Sequence, residues 1–165
     1  LMKVSLIAAI TTDGFIGRDA LHVSTAWTSK EDKAFFISKT KELGTVVMGS
    51  TTYETFNRPF KDRRHIVLSR TKTYEGVETT SESPSELIKR LTQEGVETLA
   101  LCGGSAIYTT FLEQNYVDKV YLTVEGILFG SGIKLLSKEL EIKMKLVSTT
   151  TLGENTILLE YDILK

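Results

Sequence analysis

Apolar residues in this chain fall into two alternating patterns: short dense runs, and longer stretches with helical spacing. The first run, "MKVSLIAAI" at 2–10, is β-branched and nearly continuous, as in a strand buried on both faces, and such a strand needs covering helices. "TTDGFIG" then supplies turn chemistry, with Gly14 and Gly17 as its permissive points. From Ser29, a fair N-cap with Asp32 three residues on, "KEDKAFFISKTKELG" predicts an amphipathic helix. Ala34, Phe35, Phe36 and Ile37 supply its apolar side, and Gly44 ends it. Strand "TVVMG" follows at once.

The alternation continues with a short helix over 50–56, a strand over 64–69, a short strand at 77–79 and a helix capped by Ser83 with Pro84 in its first position. A strand over 97–104, a helix over 105–114 and a strand over 119–127 complete it. The stretch 145–164 changes character: two β-rich runs around "LGEN" predict an antiparallel hairpin added at the sheet edge. Together these predict an α/β fold with a mostly parallel, mixed central sheet and helices on both faces. No repeat or Pro/Ser-rich linker interrupts the chain, so one domain over 1–165 is expected.

Composition narrows the function. With 165 residues, 41 % hydrophobic and 25 % charged, the chain matches an ordinary globular protein that needs neither disulfide nor metal to hold a core. Its one cysteine, Cys102, cannot form an internal bridge and reads as a small buried apolar residue, which suits a reducing, cytoplasmic setting. The formal charge of −1 comes from interspersed signs, so no basic stripe recommends nucleic acid and no polybasic arm a membrane surface. No apolar run reaches the roughly 18 residues of a membrane span, and the first ten residues lack the length and polar cleavage region of a signal peptide. Small-molecule chemistry remains, and no metal site is expected.

Three stretches sit at ends of predicted strands, where ligands collect in open α/β sheets. "MGSTTYETF" places a glycine before three hydroxyl residues at a helix start, a setting that suits phosphate and equally suits plain helix capping. "LCGGSAIY" puts paired glycines before a helix, without the spacing of a Rossmann fingerprint. "LSRT" sets Arg70 beside the hydroxyls of Ser69 and Thr71. Asp32 is the fourth candidate. Helix periodicity aligns it with Phe36 and Thr40, facing inward near Trp27, whereas Glu31 points elsewhere. Contact with the helix dipole explains both acids, but not why one lies on the apolar stripe, where desolvation raises a carboxyl pKa.

Taken in order, "SLIAAI…IG", "W…D…FF…T", "VVMGSTTYETF…RPF…R…IVLSR", "CGGSAIY" and "VYLT" resemble the dihydrofolate reductases from near the start to about Thr123. The resemblance implies that family's fold and the reduction of 7,8-dihydrofolate to tetrahydrofolate with hydride from NADPH. Asp32 falls at the family's active-site carboxylate, which binds the pterin amino group and ring nitrogen and promotes protonation of the imine. Trp27 matches the tryptophan that shields this region and orders a water, and Thr123 the threonine that hydrogen-bonds the carboxylate. Ile7, Ala9, Phe36 and Phe56 fall where the family lines its folate pocket, and Arg63 where it binds the glutamate α-carboxylate. For the cofactor, Ala9, Ile16 and Gly17 match positions near the nicotinamide. Gly49, Ser50, Thr51 and Thr52 match one phosphate-binding turn, Gly103, Gly104, Ser105, Ala106 and Ile107 the second. Ser69 and Arg70 fall near the adenosine 2′-phosphate.

Three departures stand out. Many family members carry a basic residue where this chain has Ser50, so selection of NADPH rests on Arg70. "GRDALHVSTAW" is longer than in compact bacterial enzymes, which puts the usual behaviour of the loop over the nicotinamide in question. Beyond Thr123 the chain lacks the acidic "GDT" pattern and looks more like the reductase domain of riboflavin biosynthesis, which shares the fold. Two alternatives follow: a reductase of a ribosylaminopyrimidine, and a non-catalytic NADPH-binding module.

Overall fold

A computed structural model describes residues 1–165. In chain order its elements are β1 (Lys3–Thr11), β2 (Phe15–Gly17), α1 (Lys30–Leu43), β3 (Thr45–Gly49), α2 (Ser50–Phe56), β4 (Arg64–Leu68), β5 (Glu78–Thr80), α3 (Pro84–Gln93), β6 (Thr98–Leu101), α4 (Ser105–Glu113), β7 (Lys119–Glu125), β8 (Ile133–Lys134), β9 (Met144–Gly153) and β10 (Thr156–Ile163). An eight-stranded sheet runs in the order β5-β4-β3-β6-β1-β7-β10-β9. The pairs from β5 to β7 are parallel, and β10 lies antiparallel to both β7 and β9. The mixed, mostly parallel α/β sheet and its edge hairpin are thus as the sequence predicts. No helix is long and apolar enough to cross a membrane.

Strand alternation divides the core between the two faces of the sheet. Val4 and Leu6 of β1, Leu99 and Leu101 of β6, and Val120 and Leu122 of β7 pack with Leu87 and Leu91 of α3 and Phe111 of α4. Their neighbours Ile7, Ala100 and Tyr121, with Val46 and Met48 of β3, face the other way, toward Phe35 and Phe36 of α1 and Tyr53 and Phe56 of α2. Both sides of the central strands are therefore covered, as their continuous apolar runs require.

The helix ends follow their predicted chemistry. Ser29 Oγ accepts from the Asp32 amide at 3.1 Å, and Gly44 closes α1 in the left-handed region at φ 85°. Ser83 and Glu86 form a reciprocal capping box on α3.

Four expectations need correction. Ala34 and Ile37 of α1 are exposed; the inward row is Asp32, Phe36 and Thr40, with Phe35 against Tyr121 at 5.9 Å between ring centroids. Only Gly14, at φ 94°, makes the turn after β1; Phe15–Gly17 is strand β2, paired with the unpredicted β8. Strand β5 begins one residue late, at Glu78. Strand β6 stops at Leu101, just ahead of Cys102 and of Gly103 at φ 117°, a backbone angle no regular strand adopts.

Candidate functional site

One cleft of about 1540 Å³ opens across the C-terminal ends of the parallel strands. Single-ligand pockets hold roughly 300–1,000 Å³, so this one has room for two ligands side by side. Its walls come from β1, one side of α1 from Asp32 to Lys41, helices α2 and α4, and the segments that follow β4 and β5.

Asp32 reaches the cleft from the first turn of α1 with only 9 % of its surface exposed. Burial raises its pKa above the ordinary carboxylate range; the Thr123 hydroxyl opposes this, the Glu125 charge adds to it, and Lys33 works against it. Thr123, 2 % exposed on β7, stands behind the carboxylate and does not line the cleft. Trp27 does not line it either. Its indole N–H is buried without an acceptor, and its ring meets the edge of Phe129 at 5.3 Å.

Ile7, Ala9, Phe36, Phe56 and Arg63 all line the cleft. Phe60 joins the two phenylalanines edge-on, at 5.8 Å from Phe36 and 5.1 Å from Phe56, which builds an aromatic wall. Arg63 is held at the far end of that wall. It donates to Thr40 Oγ1 at 2.9 Å and to the Lys61 carbonyl at 2.8 Å, and no carboxylate pairs with it. Behind it His65 is buried, and burial together with the Arg63 charge lowers its pKa to about 4.

At the opposite end the two predicted phosphate turns meet. The Gly49 amide donates to the Gly103 carbonyl at 2.9 Å, and the Gly103–Gly104 peptide is cis. A Cβ on Gly49 would lie 3.0 Å from Ile107 Cγ1, and one on Gly103 would lie 3.2 Å from Thr52 Oγ1, on a backbone already at positive φ. Ser50, Thr51 and Thr52 line one side of this junction, Gly104, Ser105, Ala106 and Ile107 the other, and Ile16 and Gly17 line the same cleft. Ser69 and Arg70 line the rim. Lys72 nearby is paired with Glu54 at 2.8 Å, whereas Arg70 is exposed and has no carboxylate partner. Backbone amides at two helix starts beside close-packed glycine turns, hydroxyls on both flanks and a free guanidinium suit the phosphates of a dinucleotide. Cys102, by contrast, is buried, and burial pushes its thiol far above the ordinary range.

Sequence reasoning missed Phe60 on the cleft wall and two residues behind it. Glu125, 4 % exposed, shares the Thr123 face of β7; its position two residues along a strand was the available signal. Phe129 gathers Trp27, the His22 ring at 5.9 Å and the Arg18 guanidinium at 4.0 Å, pinning residues 18–27 to the segment after β7. Asp13 fastens the same segment by accepting from the amides of Phe129 and Gly130. No spacing in the sequence announced that pairing.

The dihydrofolate reductase family model matches residues 3–127. Dihydrofolate reductase type 3 of Salmonella typhimurium is 36 % identical over 125 residues, covering 74 % of this chain and 71 % of the relative. Among solved structures, a dihydrofolate reductase from Enterococcus faecalis complexed with NADP(H) and RAB-propyl superposes with a TM-score of 0.81 at 22 % identity, over 99 % of this chain and 97 % of that one. A pyrimidine reductase-like protein from Corynebacterium diphtheriae gives 0.80 at 15 % identity, over 99 % and 92 %. Those two likenesses speak to the fold alone; the match over residues 3–127 and the Salmonella relative carry the conclusion that this chain belongs to the dihydrofolate reductase family.

Proposed function

We propose that this reductase converts 7,8-dihydrofolate to 5,6,7,8-tetrahydrofolate with hydride from NADPH. The observation that carries the reading is Asp32, a single carboxyl group on the cleft wall whose burial raises its pKa. A pterin offers an amino group and a ring N–H side by side, and one carboxylate receives such a pair with two parallel hydrogen bonds. Reducing the imine adds hydride to carbon and a proton to nitrogen. A carboxyl whose hold on a proton is strengthened by burial helps keep that proton near the ring. The Trp27 indole N–H, buried without an acceptor in the chain, is a donor on hand to fix a water beside it.

The remaining residues would position the two ligands. Phe36 and Phe56 would hold the substrate's benzoyl ring, and Arg63 would take its carboxylate with the N–H groups that Thr40 and Lys61 leave free. Bound NADPH supplies the hydride. Gly49, Thr51, Thr52, Gly103, Gly104 and Ser105 would hold its pyrophosphate, with Ser50, Ala106 and Ile107 alongside. Ser69 and Arg70 would take the 2′-phosphate, and Ala9, Ile16 and Gly17 would flank the nicotinamide. Hydride transfer needs donor and acceptor carbons within roughly 3–3.5 Å, so excluding water and aligning the rings is the protein's main task.

A second reading is favoured by one observation: the family match ends at Ile127, so the residues beyond it, with β8, β9 and β10, carry no part of that match. A ribosylaminopyrimidine would then be the substrate, with Arg63 on its phosphate. Loss of NADPH absorbance with dihydrofolate and with that pyrimidine, run in parallel, tests both. Turnover of dihydrofolate, reduced about 10²- to 10⁴-fold in Asp32→Asn while NADPH affinity is kept, supports the first reading. Turnover of the pyrimidine alone moves the assignment to the second. Tight NADPH binding without oxidation on either marks a binding module.

A further inference from the structure

The site contains a second buried carboxylate that the reading above does not use. Glu125 follows Thr123 by two residues on β7, so both side chains face α1. Its carboxylate accepts from the backbone N–H of Ser29 and from the hydroxyl of Thr156, which is paired with it across β7 and β10. Its own carbonyl accepts from the Thr12 hydroxyl at 2.6 Å and the Ile127 amide at 2.8 Å. No lysine or arginine pairs with it. A buried charge without a cation costs several kcal/mol unless hydrogen bonds offset it, and a neutral glutamine could make the same contacts more cheaply. The charge itself therefore asks for an explanation, and Asp32 and Glu125 are the only two buried carboxylates in the protein.

We propose that Glu125 is a positioning residue of the active site, clamping the first turn of α1 to β7 and β10 and setting a second carboxylate close enough to Asp32 to act on it. The inference rests on the role proposed for Asp32. The clamp acts through Ser29. Its amide is held by Glu125, while its hydroxyl accepts from the Asp32 amide, so the turn that carries Asp32 is tied to the strand that carries Thr123. The charge acts through space. Three groups bear on Asp32: Lys33 on its own helix, which favours the ionised form; Glu125 on β7, which disfavours it; and the neutral Thr123 hydroxyl; Tyr108 on α4, which feels the Asp32 charge, donates its hydroxyl to the Ile7 carbonyl at 2.6 Å. Burial is the larger reason that the Asp32 pKa is raised, and Glu125 adds to it.

Two variants separate clamp from charge. In Glu125→Gln the amide oxygen can serve the Ser29 N–H and its NH₂ can donate to the Thr156 hydroxyl, so geometry is kept and charge is lost. Glu125→Met removes both at nearly constant volume. The first readout is the ¹³C NMR titration of the Asp32 carboxyl, assigned by its absence in Asp32→Asn; it needs no substrate. Glu125→Gln is expected to weaken proton binding at Asp32 by roughly threefold to tenfold, moving the midpoint down by about 0.5–1 pH unit. The fall of kcat with rising pH should move down with it, while the KM for NADPH stays put. Glu125→Met should show the same midpoint shift together with a lower kcat at every pH. An unmoved Asp32 midpoint in both variants overturns the proposal, as does a uniform loss of kcat in Glu125→Gln without any change of pH profile. If the midpoint moves but neither dihydrofolate nor the pyrimidine turns over, the assigned reaction fails and the role of Glu125 stands.

Discussion

Asp32 carries its charge where burial opposes it, so its carboxylate should weaken the fold that presents it. Its folded-state pKa lies above the ordinary value of 3.8, so stability falls as pH rises from that value through the folded pKa, and the cost is fully present above it. Asp32→Asn should therefore raise Tm at neutral pH by a few degrees while lowering turnover, and the gain should vanish in acid. A neutral-pH Tm equal to or below wild type would show that the carboxylate is better solvated than its burial indicates. His65 has the opposite sign. Burial lowers its pKa from 6.5 to about 4, so stability is complete above the ordinary value and drains away as pH falls toward 4. With only two histidines in the chain, a ring-proton NMR titration can follow it, and the urea midpoint should drop between pH 6.5 and 4. Asp32 was legible because a helical repeat aligned it with Phe36 and Thr40. Glu125 was not, because an acid near a strand end reads as a solvated surface residue until the packing of Ser29 and Thr156 around it is known.

Between elements, the longer loop 18–27 is fastened at an aromatic pin. Phe129 takes Arg18, His22 and Trp27, and Asp13 holds the backbone under it. Phe129→Ala should leave the sheet intact, expose the chain's single tryptophan and shift its emission to the red, with about 1–2 kcal/mol lost because the ring is only half buried. Unchanged tryptophan emission would mean that the loop is held by other contacts. The ends of α1 could be read directly from Ser29 and Gly44, but its buried face could not. Ile37 has the composition of a core residue and is exposed on the cleft wall instead, where an apolar ligand would cover it. Periodicity finds apolar positions and does not say whether protein or ligand completes their burial. Strands β2 and β8 escaped notice for a simpler reason: two or three residues are too few to establish alternation.

At the level of the whole molecule, the β/α alternation made the parallel sheet legible, whereas the order in which strands lie side by side depends on long-range pairing that no local pattern encodes. The same distinction bears on the C-terminal hairpin. The family match stops at Ile127, yet β10 pairs with all of β7, the strand that supplies Thr123 and Glu125. A chain ending at residue 143 would leave β7 as an open edge and remove Thr156 from Glu125. We expect it to show no cooperative thermal transition, and a sharp two-state melt from that fragment would prove the hairpin dispensable. The enclosure of Asp32 also affects the heat of ligand binding. A neutral molecule that covers this carboxyl strips away its last water, strengthens its hold on a proton and draws one, in part, from the buffer. Binding enthalpy should then depend on the buffer's own ionisation heat, so calorimetry in two buffers of matched pH counts protons taken up before any chemistry begins.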